Sequence, residues 1–248
     1  MTNYKIICDE YHLKDFIKWL PELLPHEIYY LALFARKKYS PELKHSKTDK
    51  TQLKRFTSDK SRMFDKIKQL ECELGSYKFK DVVAPQESLA LYVTVNPRSQ
   101  IIAAKNALRK LVDLATNPYN NWNVHQEVMS EIQKAKSRTC WVDFDIDLDM
   151  TSLTPENTQT HFMNAFTELT EKILHGDGWT HTPHIKLLKT HSGYHILIDP
   201  RQYSTQSQFK VTDWYRVITD TFTVDQSGDN MIPVVGCTQG GSMPYFIV

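Results

Sequence analysis

The sequence predicts a mixed α/β or α+β fold, because amphipathic helical patterns and short apolar strands alternate along its 248 residues. A second observation is one stretch of strict alternation, in which four aspartates take every second position between apolar residues. A third is the charge distribution: residues 1–140 hold 24 Lys and Arg against 16 Asp and Glu, whereas residues 141–248 hold 6 against 13. A basic N-terminal part therefore precedes an acidic C-terminal part.

The N-terminal part is predicted to be mainly helical. The segment 26–39 is apolar on nearly every side up to its basic end, which favours a buried helix whose cations complement the helix dipole. A second helix is predicted from Ser58 to Leu74, where apolar residues recur at helical spacing before Gly75. A strand over 88–97 and an amphipathic helix over 99–115 follow.

The polar loop at 116–123 is the clearest break in composition. We therefore expect a basic N-terminal region at 1–115 and a second region at 116–248, with the two packed as one compact unit. The second region is predicted to begin with a short helix around 124–132, the acidic strand and a helix opening at Thr154-Pro155. Two strands joined by a glycine turn, a helix over 208–222 and two closing strands around a Gly-rich turn are predicted to follow.

The acidic strand "VDFDIDLDM" carries Asp143, Asp145, Asp147 and Asp149. Carboxylates two apart on one face of a strand lie roughly 6–7 Å from each other, so they repel unless a cation lies between them. An EF-hand loop does not fit, since Leu148 and Thr154 stand where such a loop needs glycine and glutamate. A dehalogenase-type phosphatase, a purely structural amphipathic strand and a Mg²⁺ or Mn²⁺ site for phosphoryl or nucleotidyl transfer stay open.

Two later segments supply the other parts that a nucleotidyl-transfer site needs. "KTHSGYHILID" places Ser192 at a glycine turn and His195 on the strand after it, where a hydroxyl and an imidazole can contact an anion. "TVDQSGDN" supplies a third carboxylate at Asp225, with Asp229 as a second choice. The order of a D-h-D strand (h, a hydrophobic residue), an S-x-x-H turn and an h-D pair is a more specific signal than any one of them.

At these residues the chain resembles the archaeo-eukaryotic primase superfamily, the primase-polymerases, in a phage- or plasmid-type form. "VDFDID", "SGYHILI" and "TVDQ" match its three motifs through Asp143 and Asp145, through His195 with Ser192, and through Asp225. The resemblance covers residues 139–245. The basic residue common before the family's final stretch is Asn230 or Met231 here, so the cation that contacts the triphosphate is left to Lys189, Lys186 or an arginine such as Arg98.

The resemblance implies a primase-polymerase core with an RRM-like sheet and an active site in the cleft beside a smaller module. Asp143, Asp145 and Asp225 would bind two Mg²⁺ or Mn²⁺ ions, and Ser192, His195 and Lys189 would contact the nucleotide. The reaction would be template-directed nucleotidyl transfer from NTPs or dNTPs on single-stranded DNA, with a replicative helicase as partner. The expected location is the cytoplasm, or the host-cell cytoplasm if the protein is viral.

The basic run over 36–68 holds 12 Lys and Arg against 4 acidic residues and is the predicted nucleic-acid contact. Its candidate residues are Arg36, Lys37, Lys54, Arg55 and Arg62. The alternatives are a metal-dependent phosphatase or nuclease that uses the same aspartates, and a non-catalytic, primase-like accessory protein that binds nucleic acid. No run of 18 apolar residues occurs, so no membrane partner is predicted.

Overall fold

The computed structural model describes residues 2–40, 43, 49–79, 82–116, 123–147, 155–175, 185–200, 216 and 218–247. Its helices are α1 Glu10–Trp19, α2 Lys60–Lys68, α3 Gln100–Thr116, α4 Val124–Lys134 and α5 Pro155–His175. Its strands are β1 Glu27–Arg36, β2 Lys50–Ser58, β3 Lys78–Phe79, β4 Val82–Val83, β5 Leu89–Thr94, β6 Arg98–Ser99, β7 Val142–Asp147, β8 Ile185–Lys189, β9 Gly193–Ile198, β10 Val224–Gly228, β11 Met231–Pro233 and β12 Tyr245–Phe246. Helices and antiparallel sheets together make the fold α+β, as predicted.

The chain divides into two compact units. Unit 1 comprises Met1–Thr139 and Met231–Tyr245, and unit 2 comprises Cys140–Asn230 and Phe246–Val248. The division thus falls later in the chain than the predicted break at 116–123, because α4 packs on α3 and belongs to unit 1.

Unit 1 is built on an antiparallel sheet in the order β11-β5-β1-β2, with β6 paired to β1. The prediction of a helix over 26–39 is therefore wrong, since Glu27–Arg36 is a central strand paired on both sides. A strand buried on both faces has no apolar–polar alternation, so its pattern cannot be told from that of a buried helix. The segment "EIYYLALF" contains isoleucine, two tyrosines and phenylalanine, and β-branched and aromatic residues are enriched in strands. The N-terminal region is accordingly not mainly helical.

The other elements predicted in unit 1 are present, although the second helix ends at Lys68 and not at Leu74 as predicted. Helix α2 lies inside the predicted span and begins at Lys60, after the N-cap Asp59, whose carboxylate accepts a hydrogen bond from the amide of Arg62. Strand β5 and helices α3 and α4 occupy the predicted segments. Met129 and Ile132 of α4 pack on Tyr30 and Ala32 of β1, so α4 covers the face of the unit 1 sheet to which these two residues point.

Unit 2 is built on the sheet β10-β7-β9-β8-β12, in which β7 pairs antiparallel with both β10 and β9. Phe162 and Phe166 of α5 pack with Phe144 and Ile146 of β7 in the core of the unit, so the predicted apolar stripe of α5 covers the apolar face of the acidic strand. In the predicted helix 208–222, residues 218–221 are helical, whereas 208–215 and 217 lie outside the described residues. Asp149 also lies outside them.

Candidate active site

Strand β7 presents the alternation that the sequence predicts. Phe144 and Ile146 are buried in the core beneath α5, and Asp143, Asp145 and Asp147 point to the opposite face, which we call the acidic face. Burial decreases along this row: Asp143 is fully buried, the side chain of Asp145 is 31% exposed, and Asp147 is exposed. The row therefore runs from a solvent-excluded end to an open end.

His195 lies directly across from these aspartates. Strand β9 pairs with β7 so that His195 is the register partner of Asp145, and both side chains stand on the acidic face. The imidazole Nδ1 lies 2.9 Å from Asp143 Oδ1, and Nε2 lies 3.5 Å from Asp145 Oδ1. Two motifs that are distant in the sequence are thus brought into direct contact.

The three side chains shift one another's pKa. Burial alone would lower the pKa of His195, but the negative charge and hydrogen bond of Asp143, followed by the charge of Asp145, outweigh burial and raise it. Burial raises the pKa of Asp145, and the carboxylates of Asp143, Asp147 and Asp225 raise it further against the opposing effect of His195. The acidic face therefore carries mutual repulsion that a bound cation would relieve.

Asp225 approaches the same site from the other neighbouring strand. Val224 of β10 pairs with Ile146 and Gln226 pairs with Asp145, which leaves Asp225 at an irregularity in the register beside Asp145. Asp225 is exposed, and its charge acts on Asp145. The predicted third carboxylate thus lies next to the D-h-D strand. Asp229, the second choice, lies beyond the end of β10.

The turn before His195 has two features that hold β9 in place. The amide of Gly193 donates to Thr190 Oγ1 at 3.1 Å, and the amide of Thr190 donates to the carbonyl of Gly193 at 3.0 Å. A Cβ on Gly193 would lie 2.1 Å from the carbonyl oxygen of Ile146, so only glycine permits this approach of the two strands. Ser192 is half-buried in the turn. The amide of Gly193 is therefore engaged within the turn. That Thr190 closes this turn was not predicted from the sequence, although the T-x-x-G spacing of Thr190 and Gly193 was a signal for it.

Lys189 lies on the other face of the sheet. Its register partner is Tyr194, which precedes His195 in β9 and therefore points to the opposite face from His195. The side chains of Lys189 and His195 thus lie on opposite faces of the sheet. Lys189 Nζ lies 4.1 Å from the centroid of the Tyr194 ring, whose centroid lies 3.9 Å from that of Phe162. Burial lowers the pKa of Lys189. This placement does not favour the predicted contact between Lys189 and a nucleotide held on the acidic face.

The donor chemistry of the acidic face fits a hard divalent cation. Asp143 Oδ2 is buried and has no hydrogen-bond partner among the described residues, so it retains a free acceptor site on the acidic face. Asp143 and Asp145 supply carboxylate oxygens of the kind that Mg²⁺ and Mn²⁺ prefer, and Asp225 is adjacent. Within the part of the chain that the structure describes, no three His, Cys, Asp or Glu side chains are already gathered around one ion position.

The five basic candidates of unit 1 differ in accessibility. Lys37 and Lys54 are exposed, and Arg55 is half-buried with Nη1 3.3 Å from Ser130 Oγ. Arg62 is exposed but bonds to the Asp59 carboxylate, with its Nε 2.7 Å away. Arg36 is buried; its Nε lies 2.7 Å from Asp49 Oδ2 and its Nη1 2.7 Å from the Tyr92 hydroxyl, so these contacts give it a structural role.

Comparisons with known proteins found no match. No family model matches the chain, no curated protein matches it, and no solved structure matches it. Among the described residues, no helix is long and apolar enough to cross a membrane.

Proposed function

We propose that this protein is a primase-polymerase-type nucleotidyltransferase, which joins nucleotides on a single-stranded DNA template. The observation that carries the proposal is the meeting of three distant motifs on adjacent strands. Asp145 is the register partner of His195, and Asp225 lies beside Asp145 at the irregularity in β10. The same three motifs, in the same order, are those that carry the resemblance to primases.

In the proposed site, Asp143, Asp145 and Asp225 hold two Mg²⁺ or Mn²⁺ ions. The bound ions would supply Lewis-acid activation of the attacking hydroxyl and charge neutralisation at the leaving pyrophosphate. The residues of the chain contribute positioning and charge: the buried Asp143 fixes the orientation of His195 through the 2.9 Å hydrogen bond, and His195 and Ser192 face the phosphates. The core beneath α5 holds β7 and β9 in register, and with them the relative positions of the aspartates and the histidine.

The nucleic acid would contact the basic part of unit 1. Lys37, Lys54 and Arg62 are exposed, although Arg62 is paired with Asp59, and Arg55 is half-buried on β2. Contacts of this kind bind the phosphate backbone regardless of sequence, which suits a protein that must accept many templates.

The proposal is tested by incubating the protein with single-stranded DNA, labelled NTPs or dNTPs, and Mg²⁺ or Mn²⁺. Wild type is expected to make oligonucleotides, and Asp145→Asn and the Asp143→Ala/Asp145→Ala double variant are expected to make none. Asp220→Asn, which changes an exposed carboxylate on the helical segment 218–221, should retain wild-type activity. Absence of product from wild type in both metals, with DNA binding intact, would instead favour an accessory protein.

A second candidate, a metal-dependent nuclease or phosphatase, is favoured by one observation. A histidine that hydrogen-bonds to a buried aspartate has the arrangement of a general-base pair, which can activate water as well as orient a phosphate. The same assay separates the two activities, since shortened DNA or released phosphate would mark the hydrolase and longer products would mark the polymerase.

A further inference from the structure

The acidic face of unit 2 needs a cation of the protein itself if it is to receive a triphosphate. The metal ions would neutralise the carboxylates and the inner phosphates, whereas the outer phosphates carry further negative charge. Lys189 lies on the opposite face over Tyr194.

The register of the sheet identifies one lysine on the acidic face. Lys186 of β8 is the partner of Leu197 of β9, and Leu197 is the partner of Asp143 of β7. Residues directly opposite each other in antiparallel strands point to the same side, so Lys186 and Asp143 stand on the same face, two strand spacings or about 10 Å apart at their Cα atoms. Of the residues that strands β7, β8, β9 and β10 place on this face, Lys186 alone is a lysine or arginine.

Within the described part of the chain, no ion pair accounts for the position of Lys186. Its side chain is half-buried, and among the described residues no carboxylate lies within ion-pair distance of it. A lysine of this kind packs its stem on the sheet and keeps its charged head group available to a ligand. Lys189, three residues later in the same strand, has its ammonium group over an aromatic ring.

We infer that Lys186 binds the outer phosphates of the nucleoside triphosphate, beside the ions held by Asp143 and Asp145. The inference rests on the proposed function and names a residue that recognises its substrate. The four-carbon stem places a compact, mobile positive charge at the edge of the carboxylate row, which suits a chain of phosphates better than a fixed planar group. Lys186 is thereby a nucleotide-binding residue, and Lys189 is a structural residue of the opposite face.

The test compares Lys186→Met with Lys186→Arg and with the matched control Lys189→Met. The methionine keeps the length and apolar stem but removes the charge, so packing is little changed. Equilibrium titrations with a fluorescent nucleoside triphosphate and the corresponding monophosphate, each with Mn²⁺, report binding without requiring catalysis. Thermal melting of every variant verifies that it is folded.

We expect Lys186→Met to weaken triphosphate binding about 10- to 100-fold, the value of a hydrogen bond to a charged group, and to leave monophosphate binding unchanged. Lys186→Arg should restore much of the loss, and Lys189→Met should bind like wild type. Equal triphosphate binding by Lys186→Met and wild type would overturn this inference while leaving the proposed function standing. Failure of folded wild type to bind any triphosphate would overturn both.

Discussion

The imidazole of His195 hydrogen-bonds to the carboxylate of Asp143, with Nδ1 and Oδ1 2.9 Å apart and both residues buried. The pair joins β7 to β9, and the other charges that act on His195 there are carboxylates. A buried pair of this kind contributes little net stability when intact, but each member makes the burial of the other tolerable. The pair therefore couples the fold of unit 2 to its candidate chemistry.

The coupling between Asp143 and His195 predicts non-additive stability. Asp143→Ala leaves His195 buried beside Asp145 alone, so we expect a loss of about 3–5 kcal/mol in the free energy of unfolding. His195→Ala should be comparably destabilising, because it leaves two carboxylates facing each other. The double variant should lose clearly less than the sum of the two, measured by urea unfolding. Additive losses would show that the two side chains do not interact in solution.

The carboxylate row predicts stabilisation by divalent ions. An ion that binds the folded site and not the unfolded chain stabilises it by about 2.7 kcal/mol at 100 times its dissociation constant. Mg²⁺ or Mn²⁺ should therefore raise the melting temperature of wild type and of the control Asp220→Asn, but have little effect on Asp145→Asn. Asp145 is chosen because it is half-buried and its removal leaves the Asp143–His195 pair in place. An equal rise in all three proteins would place the ion elsewhere.

The close approach of Gly193 to β7 predicts that even alanine is not tolerated there. The added Cβ would meet the backbone carbonyl of Ile146 at 2.1 Å, and backbone atoms in a paired strand have little freedom to move away. We expect Gly193→Ala to destabilise the protein by at least about 1–3 kcal/mol and to abolish activity, because β9 carries His195. Gly241→Ala adds a Cβ in open space at a positive φ of 77°, so it carries backbone strain of about 1–2 kcal/mol without a clash and should be the less destabilised variant. Equal melting temperatures for the two variants would contradict the predicted clash.

The sequence pattern was sufficient to predict the acidic strand β7, but it was not sufficient to predict β1, the strand that leads into the basic run. Alternation over Val142–Asp147 has one structural solution, a strand with one buried face, and the structure has that strand. The run at Glu27–Arg36 is buried on both faces, and its burial depends on β2 and β5, which are distant in the sequence. Local pattern therefore could not distinguish its strand from a helix.

The same dependence on distant partners decided which predicted site residues could be placed. The order of the motifs pointed to Asp145, His195 and Asp225, but only the register of β7 with β9 and β10 shows that they are neighbours. Arg36 was predicted as a nucleic-acid contact from charge alone; the β1–β2 hairpin brings Asp49 to its guanidinium, and this pairing has no local sequence signal. Charge density identifies a basic region and leaves the partners of each charge undetermined.

The buried carboxylate of Glu27 predicts an acid-sensitive step in unit 1. Burial would raise the pKa of Glu27, but hydrogen bonds from Arg138 at 3.0 Å and from the amide of Leu24 at 2.8 Å outweigh burial and lower it. A carboxyl group whose folded-state pKa is depressed stabilises the fold above its unfolded pKa, about 4.3, and loses that contribution as the pH falls through the lower folded value.

Wild type should therefore lose stability on acidification below about pH 5 more steeply than Glu27→Gln. At pH 7 the glutamine variant should be less stable by about 1–3 kcal/mol, because Arg138 loses its charged partner. Urea unfolding at pH 7, 5 and 4 measures both effects. Parallel pH profiles for the two proteins would show that the Glu27 carboxylate is equally protonated in the folded and unfolded states.

The exposed lysines of unit 1 predict salt-dependent DNA binding that is separate from catalysis. Lys37→Glu and Lys54→Glu reverse the charge at exposed positions of the basic run, so we expect each to weaken binding to single-stranded DNA uniformly across sequences. Each neutral Lys→Ala substitution at these two positions should reduce the slope of log affinity against log salt by about 1 if one phosphate contact is lost.

Lys105→Glu on α3 is the matched control, since Lys105 is exposed in the same unit but lies outside the run. Fluorescence anisotropy at several salt concentrations measures the slopes. A loss equal to that of Lys105→Glu would reduce the effect to net charge alone and remove the basic run from the proposed DNA contact.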